Sequence, residues 1–216
     1  LSGDYIFARA FKLVAEEGYD SSVYVKLAHL VCTLSEGEIL QDHTVYQIPT
    51  SEHAYYERIR KKTADFLEIC CELGGFIGGM SPADTAQMAE YGHAIGMAFQ
   101  ITDDLLDFRR SSEDIGKPAG HDLAQGYVTL PVIRALAVLE KAERTELAAL
   151  ITNPKMTESE AARALALVRG TDGLDYAQKR ADAYLEHAKN ALPAGLDAHI
   201  RETCLMAADF IGRREF

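Results

Sequence analysis

Apolar side chains recur at three- and four-residue spacing along almost the whole chain. This is the period of helices that bury one face, whereas no stretch shows the sustained period-two alternation of a half-buried strand. No Ser/Gly-rich linker divides the sequence, so we predict an all-α bundle in which residues 1–216 form a single domain. The predicted helices span about 4–18, 21–42, 51–73, 82–109, 129–150, 157–169, 172–191 and 196–212.

Capping residues and helix breakers set the expected helix boundaries. A long irregular stretch, 110–128, has no helical period, and a loop of that length inside a helical domain is more often functional than idle. The predicted caps are Ser21-Ser22, Thr50-Ser51, Ser81 before Pro82, and a capping box of Thr157 with Glu160. The predicted breaks are Gly18, Pro49, the pairs Gly74-Gly75 and Gly78-Gly79, Pro154 and Pro193.

The charge balance restricts the class of partner. The chain has 22 basic and 33 acidic side chains and a net charge of −11, which repels nucleic acid and anionic membrane surfaces. No apolar run approaches the roughly 20 residues that a membrane span needs, and no leader pattern precedes the first helix. We therefore expect a cytoplasmic protein without integral membrane association, and reduced cysteines.

Three carboxylates lie on one stripe of the predicted helix 82–109. At about 100° per residue, Asp103, Asp104 and Asp107 fall on the same face as Gln100, while apolar side chains occupy the opposite face. Gly92 and Gly96 extend this stripe and would let another group approach the backbone. No Lys or Arg lies one turn from Asp103 or Asp104, so their mutual repulsion favours a divalent cation, and hard oxygen ligands suit Mg²⁺. The alternative is a solvated acidic face.

Two lysines favour a phosphate-bearing ligand next to that cation. Lys62 lies within a predicted helix and Lys117 lies in the irregular loop; a lysine of either kind, taken alone, is more often a surface charge than a ligand contact. Together with a carboxylate-bound Mg²⁺ they indicate a polyphosphate held between metal and ammonium groups. Glu38 and Gln41 extend the apolar stripe of helix 21–42 and reach either a polar cavity or the exposed end of the helix.

The ordered set of motifs resembles the trans-polyprenyl diphosphate synthases, in particular those that make medium or long prenyl chains. The resemblance covers nearly the whole chain, and its ordered set of motifs is more specific than any single one. The motifs are Leu1-Ser2-Gly3-Asp4-Tyr5 with Ala8-Arg9-Ala10, Gly37-Glu38 with Gln41, Lys62-Thr63-Ala64, Phe99-Gln100 with Asp103-Asp104-x-x-Asp107, Gly116-Lys117-Pro118-x-Gly120-x-Asp122-Leu123, Gly126, Thr129-Leu130-Pro131, and a tail with Tyr184, Ala188, Leu192-Pro193, Arg201 and Arg213.

The resemblance implies an antiparallel isoprenoid-synthase bundle and a prenyl transfer reaction. In this reaction Mg²⁺ draws diphosphate from an allylic diphosphate, the carbocation alkylates isopentenyl diphosphate, and a proton is lost. By position, Asp103, Asp104 and Asp107 are the implied metal ligands, and Lys62 and Lys117 the implied diphosphate contacts. The resemblance also implies that Thr63 and Gln100 line the reacting centre, and that the enzyme is a homodimer or a heterodimer with a small subunit.

Two departures from the family pattern keep other functions open. Tyr127 stands where some members have a further lysine. In the family, the first aspartate motif lies before the position that matches Leu1, so this sequence does not contain it. We therefore expect the chain to be the C-terminal two-thirds or so of a synthase, inactive by itself. The alternatives are a non-catalytic subunit or scaffold of a two-component synthase, and a related isoprenoid synthase or terpene cyclase.

Overall fold

A computed structural model describes residues 1–49, 51–109 and 120–214. These residues form helices and connecting turns and contain no strand, which confirms the all-α prediction. The helices are α1 (Ser2–Glu16), α2 (Ser21–Thr44), α3 (Glu52–Ile59), a π-helical segment (Arg60–Ala64), α4 (Asp65–Ile77), α5 (Pro82–Arg109), α6 (His121–Ala124), α7 (Leu130–Val138), α8 (Lys141–Ile151), α9 (Glu158–Arg169), α10 (Gly173–Ala191) and α11 (Ala198–Gly212).

Helix α5 is the centre of the bundle. It packs along both α4 and α10, and α11 contacts α10 and α5. Of its 28 residues, 15 are buried, which is the pattern of a helix surrounded by others rather than one at a surface. Its apolar face, including Met97, Ile101 and Leu105, packs against Ala177 and Ala181 of α10. The carboxylates of α5 are therefore carried by a rigid, central element.

The capping predictions mostly agree with the structure. Ser51 accepts from the backbone N–H of Ala54, Ser81 accepts from that of Asp84, and the Thr157–Glu160 capping box forms. The cap of α2 was predicted one residue too late, because the carboxylate of Asp20 accepts from the backbone N–H of Ser22. Thr50 lies outside the described residues.

The predicted helix 129–150 is two helices, α7 and α8. The chain turns at Leu139 and Glu140, whose extended ψ angles of 146° and 157° end one helix and begin the next. Leu139 is 8% exposed in the same core cluster as Leu147, and the guanidinium of Arg144 donates to the Leu139 carbonyl. The turn keeps apolar residues buried on both sides, so the helical period alone does not reveal it.

The predicted break at Gly74-Gly75 was also wrong. Helix α4 continues to Ile77, and the turn falls at Gly78 and Gly79, where Gly79 has a φ of 77°. A Cβ on Gly75 would lie 3.2 Å from Met80 Sδ, so this glycine permits close packing inside the helix. A Cβ on Gly74 would meet nothing within 4 Å.

Helices α3 and α4 are joined through the π-helical segment into one continuous rod. Two glycines of α5 bring that helix against this rod: a Cβ on Gly92 would lie 2.3 Å from the Leu67 carbonyl oxygen, and one on Gly96 would lie 2.5 Å from Ala64 Cα. The glycines of the acidic stripe therefore admit another helix backbone rather than a ligand.

Helix α1 is the least supported element. None of its residues is buried, and Tyr5, Ile6 and Leu13 are exposed by 66%, 68% and 60%.

No helix in the described ranges has both the length and the apolarity required to cross a bilayer.

We expect Gly96→Ala to destabilise the protein by about 1–3 kcal/mol, since overpacking a rigid interior costs about that much. The added methyl group would collide with the backbone at Ala64, which has no side-chain freedom to yield. Urea unfolding measures the effect.

Gly74→Ala is the matched control, because that helical glycine faces open space. It should stabilise the protein by about 0.5–1 kcal/mol. Equal effects of the two substitutions would contradict the packing account.

Candidate active site

A cavity of about 220 Å³ opens between α2, α3, the π-helical segment and α5. Its wall is largely polar and charged, and it collects side chains that are far apart in sequence. The lining residues are Gln41, Arg58, Ile59, Lys62, Gln100, Asp103, Asp104, Asp122, Tyr127 and Thr129. Four of the predicted site residues, Lys62, Gln100, Asp103 and Asp104, therefore meet at one cavity.

The π-helical segment places Lys62 at this cavity and Thr63 against the cavity residue Gln100. The backbone N–H of Asp65 reaches the carbonyl of Arg60, five residues earlier, which widens the helix by one residue. Such widened turns occur frequently at functional sites. Sequence periodicity predicted an ordinary helix here, because one five-residue step, between the buried Ile59 and Ala64, is a weak signal within a long pattern of three- and four-residue steps.

A glycine of α2 holds the segment from its other side. A Cβ on Gly37 would lie 2.9 Å from the backbone nitrogen of Lys62. The segment is thus packed tightly between Gly37 of α2 and Gly96 of α5. The position of the Lys62 backbone follows from these two close contacts.

The side chain of Lys62 points toward α2. Its Nζ donates to Gln41 Oε1 at 2.8 Å and lies 3.6 Å from Glu38 Oε1. Because Gln41 lines the cavity, the polar end of the α2 stripe reaches a cavity rather than only the exposed helix end. An amide partner leaves the ammonium group able to exchange it for an anionic ligand.

A chain of hydrogen bonds links Thr63 to the core of the protein. Thr63 Oγ1 donates to Gln100 Oε1 at 2.8 Å, and Gln100 Nε2 donates to Asp104 Oδ1 at 2.9 Å. Tyr55 then donates its hydroxyl hydrogen to Asp104 Oδ2 at 2.8 Å. Each link fixes the direction of the next, so the Gln100 amide has one defined orientation at the cavity.

Asp104 differs from the other carboxylates in its burial. It is 6% exposed, and burial raises its pKa to about 6, against the opposing effect of the hydrogen bonds from Gln100 and Tyr55. Both of its oxygens accept hydrogen bonds, which commits this carboxylate to orienting its neighbours.

Asp107 is bound to the start of α6. Its two oxygens accept from the backbone N–H groups of His121 and Asp122, each at 3.1 Å. Burial raises its pKa to about 6, with a further contribution from the Asp122 charge. Asp107 thereby ties the segment that follows residue 119 to the end of α5.

Asp103 has the most accessible carboxylate of the three. Its side chain is 46% exposed, and its recorded partner in the described part of the chain is Arg214, at 3.6 Å from Oδ1. A half-exposed carboxylate at the wall of a polar cavity is a suitable ligand for Mg²⁺, which prefers one or two carboxylates and keeps several waters. The residues present therefore fit such an ion, with Asp103 as the first ligand.

A separate cluster of three possible metal ligands lies outside this cavity. Among the described residues, its ligand atoms lie within 4.8 Å of one another. It consists of Asp65, Glu68 and His93, on α4 and α5. Arg60 Nη1 donates to both oxygens of Asp65, at 3.0 and 2.7 Å, and already balances part of the charge. This cluster is not part of the cavity lining.

Arg58 is a cavity residue that the sequence analysis did not select. It is 8% exposed, and its guanidinium donates to the Val128 carbonyl at 2.6 Å. Its position one helical turn before Lys62 was a usable signal, because residues four apart share a face. Lys117, the other predicted diphosphate contact, lies outside the described residues, so its placement stays a prediction.

The sequence model of the polyprenyl synthetase family matches residues 1–168. The chain belongs to the polyprenyl synthetase family. Its curated relatives include heptaprenyl diphosphate synthase component 2 of Geobacillus stearothermophilus, 35% identical over 215 residues, and a short chain isoprenyl diphosphate synthase of Methanothermobacter thermautotrophicus, 34% identical over 218 residues. Each alignment covers 100% of this chain and 66% of the relative, so the chain spans just under two thirds of their length.

Solved structures of this family have the same fold. A decaprenyl diphosphate synthase from Rhodobacter capsulatus superposes with a TM-score of 0.90 at 34% identity, over 99% of this chain and 66% of that one. A polyprenyl synthase from Caulobacter crescentus, complexed with calcium and isoprenyl diphosphate, gives a TM-score of 0.88 at 34% identity, over 99% and 65%. The isoprenoid-synthase helix bundle expected from the sequence is thereby confirmed.

We expect Asp104→Asn to change how stability depends on pH. The folded-state pKa of about 6 lies above the ordinary value of 3.8, so the wild-type fold favours the protonated carboxyl. This contribution is fully present below about pH 4 and is lost as the pH rises through 6. The amide of the variant does not ionise.

The free energies of unfolding of the two proteins, measured without metal at pH 4 and pH 7.5, test this expectation. Between pH 4 and pH 7.5, the free energy of unfolding of the variant should rise relative to that of the wild type by about 2–3 kcal/mol, because one pKa unit corresponds to about 1.4 kcal/mol. A difference that stays constant with pH would contradict the assigned environment of Asp104.

Proposed function

We propose that this chain carries the second aspartate motif and the allylic diphosphate site of a polyprenyl diphosphate synthase. The proposed reaction joins an allylic diphosphate to isopentenyl diphosphate. The observation that carries the proposal is the cavity itself, where Lys62 of the π-helical segment meets Gln100 and Asp103 of α5 in a member of the polyprenyl synthetase family.

The proposed cofactor is Mg²⁺, with Asp103 as its first ligand and Asp104 and Asp107 as the other predicted ligands. Hard carboxylate oxygens favour such an ion, and a structural relative was solved with calcium and isoprenyl diphosphate. When bound, the ion would supply Lewis-acid assistance to the departure of diphosphate. The oxygens of Asp104 and Asp107 already accept hydrogen bonds from neighbouring groups. These two carboxylates are therefore proposed to support Asp103, and to contact the ion either directly or through bound water.

Lys62 is the proposed contact for the diphosphate of the allylic substrate. Its ammonium group belongs to the π-helical segment, whereas the carboxylate of Asp103 reaches the same cavity from α5. Arg58 adds a second positive charge to the same wall. In a protein of net charge −11, such a local positive group is what an anionic substrate needs to bind. Lys117 is the proposed second lysine of this site.

Thr63 and Gln100 are the proposed residues at the reacting centre. Their hydrogen bond fixes the Gln100 amide, and oxygen dipoles held in this way stabilise positive charge without reorganising. The proposed role of both side chains is to steady the carbocation after diphosphate leaves.

A non-catalytic scaffold is the weaker alternative. A subunit without catalytic activity would not require a cavity that joins basic, amide and carboxylate side chains.

The name of one relative, component 2 of a heptaprenyl synthase, favours an assembly of more than one chain. We therefore propose that this chain acts within a homodimer or a heterodimer with a small subunit, and that its location is cytoplasmic.

The exposed face of α1 supports association with another polypeptide. It carries Tyr5, Ile6 and Phe7, exposed by 66%, 68% and 47%, and apolar surface of this kind is typical of an interface. We expect sedimentation analysis to give an associated species and Ile6→Asp to weaken it. Ile200→Asp, at an exposed position of α11, is the control and should leave the mass unchanged.

We expect Lys62→Ala to weaken Mg²⁺-dependent binding of inorganic pyrophosphate about 10- to 100-fold. A hydrogen bond to a charged group contributes about 1.5–3 kcal/mol, which corresponds to that range. Titration calorimetry measures the affinity. Lys61→Ala is the matched control, because the neighbouring lysine pairs with Glu36 and does not line the cavity.

Prenyl transfer is then assayed with labelled isopentenyl diphosphate, an allylic diphosphate and Mg²⁺. The chain is tested alone and joined to the part of the Geobacillus relative that it does not match. Lys62→Ala and Asp103→Ala should lower turnover of the joined protein by orders of magnitude with unchanged helical circular dichroism. Transfer that survives both substitutions would overturn the proposed function.

A further inference from the structure

Helix α11 brings an arginine from the end of the chain to the metal-binding face of α5. Ala208 and Ile211 of α11 are buried in the cluster that contains Ala94, Ile95 and Ala98 of α5. This packing directs the residues after Gly212 along α5. Arg214 therefore reaches Asp103 although 111 positions separate them in the sequence, and the sequence pattern contains no sign of the contact.

The guanidinium of Arg214 is held by an aromatic ring and by a carboxylate. It lies 4.8 Å from the centre of the Phe99 ring, and its Nη2 lies 3.6 Å from Asp103 Oδ1. Phe99 and Asp103 are four residues apart, so they share one stripe of α5. The ring restricts the guanidinium plane and the carboxylate restricts its direction.

The environment of Arg214 contrasts with that of its neighbour. The Arg214 side chain is 22% exposed, whereas that of Arg213 is 83% exposed and forms an ion pair with Asp209 at 3.9 Å. Arg214 Nη1 is buried and has no hydrogen-bond partner in the described part of the chain. Asp103 is the carboxylate with which this guanidinium forms an ion pair in the described part of the chain, and Arg213 is a natural control.

Asp103 stands between this arginine and the cavity. It lines the cavity, whereas Arg214 does not, and its Oδ1 is the oxygen nearest Arg214. We propose that Arg214 is a positioning residue that fixes the Asp103 carboxylate through Oδ1, so that the remaining coordination capacity of Asp103 is presented to the divalent cation. This inference rests on the proposed function and deepens it, because it adds a residue that acts on the metal ligand and not on the substrate.

Two effects of a nearby guanidinium have opposite signs. A positive charge repels a lone cation, whereas fixing a metal-bound carboxylate strengthens binding, and losing such an outer partner typically weakens affinity about 10- to 100-fold. A magnesium–pyrophosphate complex carries net negative charge, so the guanidinium does not oppose it. For this ligand, the orienting effect of Arg214 decides the sign.

The test is calorimetric titration of the whole chain with magnesium pyrophosphate. Arg214→Ala should bind about 10- to 100-fold more weakly than the wild type, and Arg214→Lys should recover part of the loss. Arg213→Ala should bind as the wild type does. Unfolding curves without metal show whether each variant is folded.

A double-mutant cycle separates positioning from direct ligand contact. If Arg214 acts through Asp103, then Arg214→Ala has no further effect in the Asp103→Ala background. Additive losses would mean that Arg214 contacts pyrophosphate itself and would overturn the inference. Equal or tighter binding by Arg214→Ala would overturn it as well. If the wild type does not bind magnesium pyrophosphate, the proposed function fails and this inference fails with it.

Discussion

The close approach of three backbones supports everything else at the site. The π-helical segment Arg60–Ala64 lies between two glycines, Gly37 of α2 and Gly96 of α5. Neither interface has room for a Cβ, so the distance between the helices is set by backbone atoms and not by adjustable side chains. Rigid contacts of this kind hold a cavity at fixed width. The π-helical segment that these contacts hold in place carries Lys62 and Thr63.

A second constraint acts on the polar groups beneath the cavity. Asp104 is buried at a cost, since its pKa is raised to about 6, and the hydroxyl of Tyr55 and the amide of Gln100 offset part of that cost. The benefit is orientation: one side of the Gln100 amide is bound to Asp104, and the other accepts from Thr63. A network in which each member is bonded specifies one arrangement of the cavity wall.

The three aspartates of α5 illustrate how one sequence motif serves different physical tasks. They share a stripe, yet Asp104 accepts hydrogen bonds from side chains of the core and Asp107 accepts them from the backbone at the start of α6. The half-exposed Asp103 instead forms an ion pair with Arg214 at 3.6 Å. The three side chains are chemically identical, so their different roles come from their different surroundings. The proposed metal site therefore depends on unequal carboxylates, with one available ligand supported by its neighbours.

The sequence by itself determined the helical class, most helix boundaries, and the stripe that carries Gln100 and Asp103, because these follow from local periodicity and capping. The ordered motifs also led to the family. Tertiary structure alone decided that Gly92 and Gly96 admit a helix, that the chain turns at Leu139, and that residues 60–64 widen into a π turn. It also decided which carboxylate stays accessible and that Arg214 meets Asp103. These features depend on contacts between residues distant in sequence, and burial and charge pairing exist only after the helices have packed.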